Sequence, residues 1–333
     1  MATFKALRVV ESPAGAFANT IESISFDLLP DHDVRIRVFY AALNYKDALS
    51  ASGHKGITRS FPHTPGIDAA GVVESSRDAR FQPGMKVLVT SYDLGMNTHG
   101  AFSEYIQVPG DWIVPLPDGL DLWTSMVLGT AGLTAGMSLY LMERAGQHPD
   151  MGPVLVTGAS GGVGSLALAI LKRAGYVPWA GTGSPQNGDY LKKLGTDKLL
   201  DRLELVEPRK KPLFSGGWGG AIDTVGGETL ANLIKGCGHY GSVAVCGLVG
   251  SDQLSLSVYP FFMKGIQVLG VESAEYPMPE RLEIWNRLAS VWKPQDDLLN
   301  EMGKPLSLDE IPAAIQDMLK GQTQGRIIAD MHP

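Results

Sequence analysis

The chain begins with positions that alternate. Over residues 4–10 (Phe-Lys-Ala-Leu-Arg-Val-Val) and 34–40 (Val-Arg-Ile-Arg-Val-Phe-Tyr), apolar and polar side chains follow one another at the period-two spacing of a half-buried strand. Pro13, Gly15 and Pro30 lie between these runs as turn material. Shorter runs of the same kind follow at 71–74, 84–90 and 101–108, each set off by glycine or proline. The amino-terminal part therefore reads as all-β, a partly open barrel.

Near Asp118 the pattern lengthens. Residues 125–143 interleave Gly, Ala, Ser and Thr with Leu and Met at helical spacing, which predicts a closely packed helix and a domain boundary near residue 122. The order that follows is strand 153–157, helix 162–174, strand 177–181, helix 188–194, strand 220–224, helix 228–236, and strands 242–247 and 266–270. Strands alternating with helices imply parallel βαβ units and a doubly wound α/β sheet. A helix is expected at 280–291 and another at 308–320, with Asp309 as N-cap, Pro312 in the first turn and Gly321 as the stop, before a short final strand.

One stretch of this second region carries chemistry. Pro153-Val-Leu-Val-Thr-Gly-Ala-Ser-Gly-Gly-Val-Gly164 runs a strand into glycines and then into a helical pattern, the order of a dinucleotide-binding unit. Gly158 serves the tight turn, Gly161 removes a side chain where backbone amides approach phosphate, and Gly164 lets the helix lie close on the strand. The helix N–H groups then meet the anion. No Lys-Ser or Lys-Thr pair follows Gly164, which disfavours a Walker-type loop.

Composition narrows the partners. The 333 residues are 44% hydrophobic and 19% charged, an ordinary globular balance long enough for two domains. A formal net charge of −7 argues against nucleic acid or an anionic membrane surface and favours small molecules. The amino terminus lacks the apolar core of a signal peptide, and no run is read as approaching bilayer-spanning length, so a cytoplasmic protein is expected. The two cysteines, Cys237 and Cys246, read as small buried residues of a reduced compartment. The basic cluster 208–212 reads as a solvated loop.

A β-rich half followed by a nucleotide-binding half resembles the medium-chain dehydrogenase/reductase superfamily. Leu43-Asn-Tyr-Lys-Asp-Ala48, Phe61-Pro-His-Thr-Pro-Gly-Ile-Asp-Ala-Ala-Gly71, Gly129-Thr-Ala-Gly-Leu-Thr-Ala135, Val156-Thr-Gly-Ala-Ser-Gly-Gly-Val-Gly164 and Ala221-Ile-Asp-Thr-Val-Gly226 together look like its zinc-free acrylyl-CoA reductase group, also described as quinone oxidoreductases. The resemblance implies a GroES-like barrel domain over 1–121 and 300–333, a Rossmann domain over 122–299, and a cofactor in the cleft between them. Zinc members place a Cys where Asn44 to Asp47 stand and a Gly-His-Glu where Gly66-Ile67-Asp68 stands, so no metal site is expected. Hydride transfer without a Lewis acid suits a C=C bond conjugated to a thioester or ketone, and the implied reaction is NADPH-dependent reduction of a short 2-enoyl-CoA. A quinone or enone reductase and a non-catalytic NADPH-binding protein are the rival readings.

The resemblance also assigns residues. Asn44 and Tyr45 would border the nicotinamide ribose and the reacting carbon, with Asp47 orienting them. His54 stands where related enoyl reductases often present a tyrosine proton donor, solvent water being the other source. Besides Ala159, Ser160, Gly161, Gly162, Val163 and Gly164, cofactor contacts are expected from Tyr45, Thr134, Thr182, Gly183, Ser184, Lys193, Asp223, Val225, Gly247, Leu248, Ser273 and Gln324. Arg326 would bind a substrate phosphate or pair with an acid. After strand 177–181 the chain reads Thr182-Gly-Ser184-Pro-Gln-Asn187 with no acid until Asp189, which favours NADPH over NADH. Relatives often have Arg at the place of Ser184, so here Thr182, Ser184 and Lys192 or Lys193 would share the 2′-phosphate. A homodimer through the apolar 266–271 strand is expected.

Overall fold

The computed structural model of the chain describes residues 2–207 and 210–331. Of the basic cluster 208–212, Pro208 and Arg209 lie outside the described residues. The chain divides into two compact units: Met1–Thr130 with Ala274–Glu283 and Asp296–Pro333, and Ala131–Ser273 with Ile284–Gln295.

The first unit begins with β1 (Thr3–Glu11) and β2 (Phe17–Ser25), an antiparallel pair. It continues through β3 (Val34–Leu43), the short helix α1 (Tyr45–Ala51), β4 (Asp68–Ser76), β5 (Lys86–Thr90), β6 (Tyr105–Val108) and β7 (Ile113–Pro115). Strand β3 is the hub of the larger sheet, pairing antiparallel with both β4 and β6. Register shifts between Arg35 and Ile36 and between Val38 and Tyr40 bend it, as bulges do where a sheet curls. Its inward residues Val34, Ile36 and Val38 join Leu7, Val87, Val89, Phe102 and Ile106 in one core.

Helix α2 (Leu122–Arg144) differs from expectation in three ways. It is broken at Gly129 (φ 50°, ψ −154°), a backbone state open essentially to glycine alone. The boundary between units falls just beyond this break, at Thr130/Ala131, not near 122. At 23 residues it is also long and apolar enough to cross a membrane, contrary to the reading that no run approaches that length. With 89% of its most apolar window buried inside the protein, it is a core helix.

The second unit contains β8 (Val154–Thr157), α3 (Gly162–Arg173), β9 (Pro178–Thr182), α4 (Gly188–Lys193), β10 (Lys198–Asp201), α5 (Arg202–Val206), β11 (Gly220–Asp223), α6 (Gly227–Gly236), β12 (Ser242–Val245), α7 (Tyr259–Lys264) and β13 (Gln267–Gly270). All pairings are parallel, in the order β10-β9-β8-β11-β12-β13. The chain winds outward from β8 in one direction and then from β11 in the other. Their carboxyl ends therefore form the switch point at which open α/β sheets bind ligands.

The tail adds α8 (Met278–Leu288), α9 (Asp296–Met302), β14 (Gly303–Ser307), α10 (Ile311–Leu319) and β15 (Arg326–Asp330). Strand β15 pairs with β3 and β14, completing the seven-stranded sheet. Segments 274–283 and 296–299, expected in the nucleotide-binding domain, belong to the first unit. Asp309 is not the cap: Ser307 N and Oγ donate to Glu310 Oε2 at 2.8 and 2.7 Å, and a 3-10 turn, Leu308–Glu310, precedes α10. Gly321, at φ 68°, ends the helix as expected.

Candidate active site

In the first unit the polar run after β3 is held by buried carboxylates. Asp47 is fully buried; its Oδ2 accepts from Asn44 N at 2.7 Å, and its Oδ1 accepts from Gly66 N at 3.1 Å and Ile67 N at 2.9 Å. One side chain thus pins the start of α1 to the loop before β4. Burial pushes its carboxyl up to about 7, helped by the Asp68 charge and opposed by the backbone N–H groups. Asp47, fully buried with both oxygens accepting backbone N–H groups, is therefore a positioning residue and not one that touches a reactant.

Asp68 is the second buried carboxylate. Its Oδ2 accepts from Asn44 Nδ2 and Thr130 N, both at 2.8 Å, and its Oδ1 accepts from Thr130 Oγ1 at 2.5 Å. Arg326 Nη2 lies 3.6 Å from Oδ2, and the two side chains are 3% and 0% exposed. Arg326 also donates from Nε to Val127 O at 3.1 Å and from Nη1 to Asn44 Oδ1 at 3.1 Å. The guanidinium is thus a buried strut with no face for a substrate phosphate. The substrate assignment of Arg326 gives way to the acid-pairing one, because burial leaves no route to a ligand. Burial raises the Asp68 carboxyl, and Arg326, Thr130 and Asn44 act against that rise.

Gly129 explains why this packing is possible. A Cβ there would stand 2.5 Å from Asp68 Oδ2 and 2.9 Å from Arg326 Nη2. Gly129 and Thr130 open the Gly129–Ala135 motif, to which the sequence alone assigns no role. A Gly-Thr pair inside an apolar helical run was the available signal, marking a break whose first free N–H points at a carboxylate.

Asn44 is consequently committed. Its Nδ2 donates to Asp68 and to Ala42 O at 3.1 Å, and its Oδ1 accepts from Arg326 and, in the capping box of α1, from the Asp47 backbone N–H. Tyr45, the first residue of α1, is 50% exposed. Its hydroxyl has no partner among the described residues and is free to donate. His54 lies past the other end of α1, roughly 10 Å along the axis at 1.5 Å per residue. It is exposed, and its Nδ1 accepts from Gly56 N at 3.2 Å, which places the ring proton on Nε2. His63 is buried with Nε2 against Gly95 O at 2.8 Å, a structural contact. Gln324 is exposed.

In the second unit the strand, turn and helix form a cradle. Gly158 (φ 58°) has Thr224 Oγ1 where a Cβ would be, and a Cβ on Gly164 would run into Gly158 O and stand 2.8 Å from Ala159 Cα. Ala159 is buried, whereas Gly161, the N-cap of α3, is exposed. The open first turn of α3, with Gly162 and Val163, fits a pyrophosphate. Ser160 is half-buried beside it. At the end of β9, Thr182 Oγ1 accepts from Ser184 N at 3.0 Å, next to exposed Gly183. Lys193 is exposed on α4, and Lys192 lies 3.5 Å from Asp189. Thr134 and Ser273 are brought together, hydroxyl to hydroxyl at 2.8 Å.

Asp223 requires correction as a cofactor contact. It is fully buried, accepting from Thr157 Oγ1 at 2.6 Å and Gly226 N at 2.7 Å, so it ties the ends of β8 and β11 together. Val225 O accepts from Gly250 N at 2.8 Å, which holds the 247–250 loop over β11. Gly247 packs on Thr224, and Leu248 is 65% exposed. Both cysteines are free, each thiol pushed up to about 12 by burial, so neither is a nucleophile at neutral pH.

Comparison with known proteins gives consistent matches. The family model for the alcohol dehydrogenase GroES-like domain matches residues 30–118, and that for zinc-binding dehydrogenase matches residues 162–286. AcuI of Ruegeria pomeroyi, named as an acrylyl-CoA reductase, is 42% identical over 322 residues, 97% of each chain. YhfP of Bacillus subtilis, named provisionally as a quinone oxidoreductase, is 43% identical over 98% of this chain and 99% of its own. Its crystal structure with NAD bound aligns at a TM-score of 0.96 and 42% identity, covering 99% of this chain and 100% of that one. The yhdH oxidoreductase of Salmonella enterica in complex with NADP gives 0.95 at 39% identity, covering 98% and 100%.

The zinc in the second family model's description does not fit these residues. Among the described residues no group of three or more His, Cys, Asp or Glu side chains is arranged for a metal. Asp68 is paired with a guanidinium, and both Asp47 oxygens accept backbone N–H groups. The dinucleotide, by contrast, fits the glycine cradle.

Proposed function

The chain belongs to the medium-chain dehydrogenase/reductase superfamily, and from that membership we propose that it reduces the conjugated C=C bond of a short 2-enoyl-CoA with NADPH, acrylyl-CoA to propanoyl-CoA being the type reaction. The observation that carries this reading is the 42% identity to an acrylyl-CoA reductase across 97% of both chains. The absence of an acid from Thr182 to Gly188 supports NADPH, as does the NADP complex of the Salmonella relative.

Bound NADPH supplies the hydride. The protein's own residues do the rest: the α3 amino terminus would hold the pyrophosphate, and the Asn44–Asp68–Arg326 network fixes the backbone from which Tyr45 projects. Hydride addition at the β-carbon would push the C=C electron pair toward the thioester carbonyl. The Tyr45 hydroxyl donates to the oxygen where that charge develops. The α-carbon then takes a proton, and the place of His54 beyond the far end of α1 favours water as its source.

The name of YhfP and its NAD complex support a second reading, reduction of a quinone or enone. NADPH oxidation by the purified protein with acrylyl-CoA, crotonyl-CoA and a benzoquinone separates the two. The enoyl-CoA reading expects acrylyl-CoA to give the highest kcat/KM and Tyr45→Phe to lower kcat about 10- to 100-fold. Turnover of the quinone far above either thioester would overturn it.

A homodimer is part of the same proposal. Strand β13 is a sheet edge, and α7 beside it exposes Phe262 (66%) and Met263 (54%). Gln267 N and Val271 N bond toward β12, so the intervening Val268 and Gly270 N–H groups point to the open edge. Val268→Pro should turn a dimer into a monomer by light scattering; a parent that is already monomeric would refute the assignment. Two free cysteines suit the cytoplasm, the compartment we assign.

A further inference from the structure

We propose that Arg202 binds the 2′-phosphate of NADPH from the strand next to β9, a role that sequence comparison would seek at Ser184. The inference rests on the NADPH reading. In a dinucleotide fold the adenosine ribose lies beyond the end of the second strand, roughly 20 residues after the last glycine of the turn. Here that place is Thr182-Gly183-Ser184, which offers two hydroxyls and no cation.

The neighbouring strand supplies one. In the parallel ladder Asp201 pairs with Thr182, so the residue after β10 comes level with the residue after β9. A Cβ on Gly183 would stand 2.9 Å from Arg202 Nε, 3.0 Å from Cζ and 3.2 Å from Cδ. The guanidinium therefore lies against the Gly183 backbone, and glycine is what leaves it room. Arg202 is exposed, and its side chain has no hydrogen-bond or ion-pair partner among the described residues.

The nearby acids are turned elsewhere. Asp201 Oδ1 accepts from Leu203 N at 2.8 Å, and Glu204 Oε1 accepts from Asp201 N at 3.4 Å. Asp189 sits 3.5 Å from Lys192. Thr182 is buried and its Oγ1 is already an acceptor, which leaves its proton to donate. An unpaired guanidinium fork, two hydroxyl donors and no competing carboxylate are what a phosphate dianion requires and what a bare ribose hydroxyl does not.

The test titrates the full chain with NADPH, NADH, 2′,5′-ADP and 5′-AMP by calorimetry. The parent should bind each phosphorylated ligand about tenfold or more tightly than its partner. Arg202→Gln should weaken NADPH and 2′,5′-ADP about 10- to 100-fold and leave NADH and 5′-AMP within about twofold. Ser184→Arg in the Arg202→Gln background should restore the preference. A parent that prefers NADPH while Arg202→Gln changes nothing, or weakens NADH equally, overturns the role of Arg202 alone. A parent with no preference overturns the NADPH reading and this assignment with it.

Discussion

The buried pair of Asp68 and Arg326 offers the sharpest energetic prediction. Asp68→Asn removes the anion that lies 3.6 Å from Arg326 Nη2, a guanidinium only 3% exposed. Breaking a buried pair from one side costs about 3–5 kcal/mol. The change also turns an amide N–H toward the donors Asn44 Nδ2, Thr130 N and Thr130 Oγ1, all within 2.8 Å of the carboxylate, so the upper end of that range applies. Arg326→Met leaves a carboxylate that still accepts from these three donors and can take a proton, so its cost should be smaller, about 2–4 kcal/mol. The double variant holds a neutral pair and should be less damaged than the sum by about 2–3 kcal/mol. Guanidinium unfolding at neutral pH, with the transitions of the two units fitted separately, measures all four proteins. Single losses under about 1 kcal/mol, or a double that equals the sum within about 0.5 kcal/mol, would refute the network as described.

Gly164→Ala sets a methyl against Gly158 O and Ala159 Cα, so α3 must move off β8; NADPH affinity should fall about tenfold and stability by about 1–3 kcal/mol, read by calorimetry and unfolding. Burial, with the Arg8 and His63 charges, pushes the His99 imidazole down to about 3. Its stabilising contribution is whole above the unfolded value near 6.5 and declines as pH falls below it, by about 2 kcal/mol at pH 5. His99→Gln should lose less stability than the parent between pH 7.5 and pH 5, the raised Asp47 carboxyl being common to both; equal losses would remove His99 from the account.

Legibility in the sequence followed how local the requirement was. The cradle from Gly158 to Gly164 rests largely on local geometry, the positive φ of Gly158 and the contact of Gly164 with Gly158 O, so its glycines could be read before the structure. Strands β2, β7, β10 and β14 escaped: β2 pairs only with β1, β7 is three residues long, β10 is a sheet edge with exposed ends, and β14 contains Pro305. The roles of Arg326 and Asn44 were hidden for a different reason, since 282 residues separate partners that the sheet places side by side. Arg202 was invisible because its meaning depends on the register of β10 against β9, and β10 itself was missed. Buried carboxylates such as Asp47, Asp68 and Asp223 look like active-site residues in a sequence; only their filled hydrogen-bond shells identify them as struts.

The central claim is that hydride arrives at the β-carbon of an enoyl thioester and a solvent-derived proton at the α-carbon. Turnover of acrylyl-CoA with NADPH carrying deuterium at the transferable C4 position, followed by mass and NMR analysis of the propanoyl-CoA, tests it most directly. One deuterium is expected at C3, and one at C2 when unlabelled NADPH is used in deuterated water. Label at C2 from the cofactor, or no labelled propanoyl-CoA while a quinone is reduced, would contradict it.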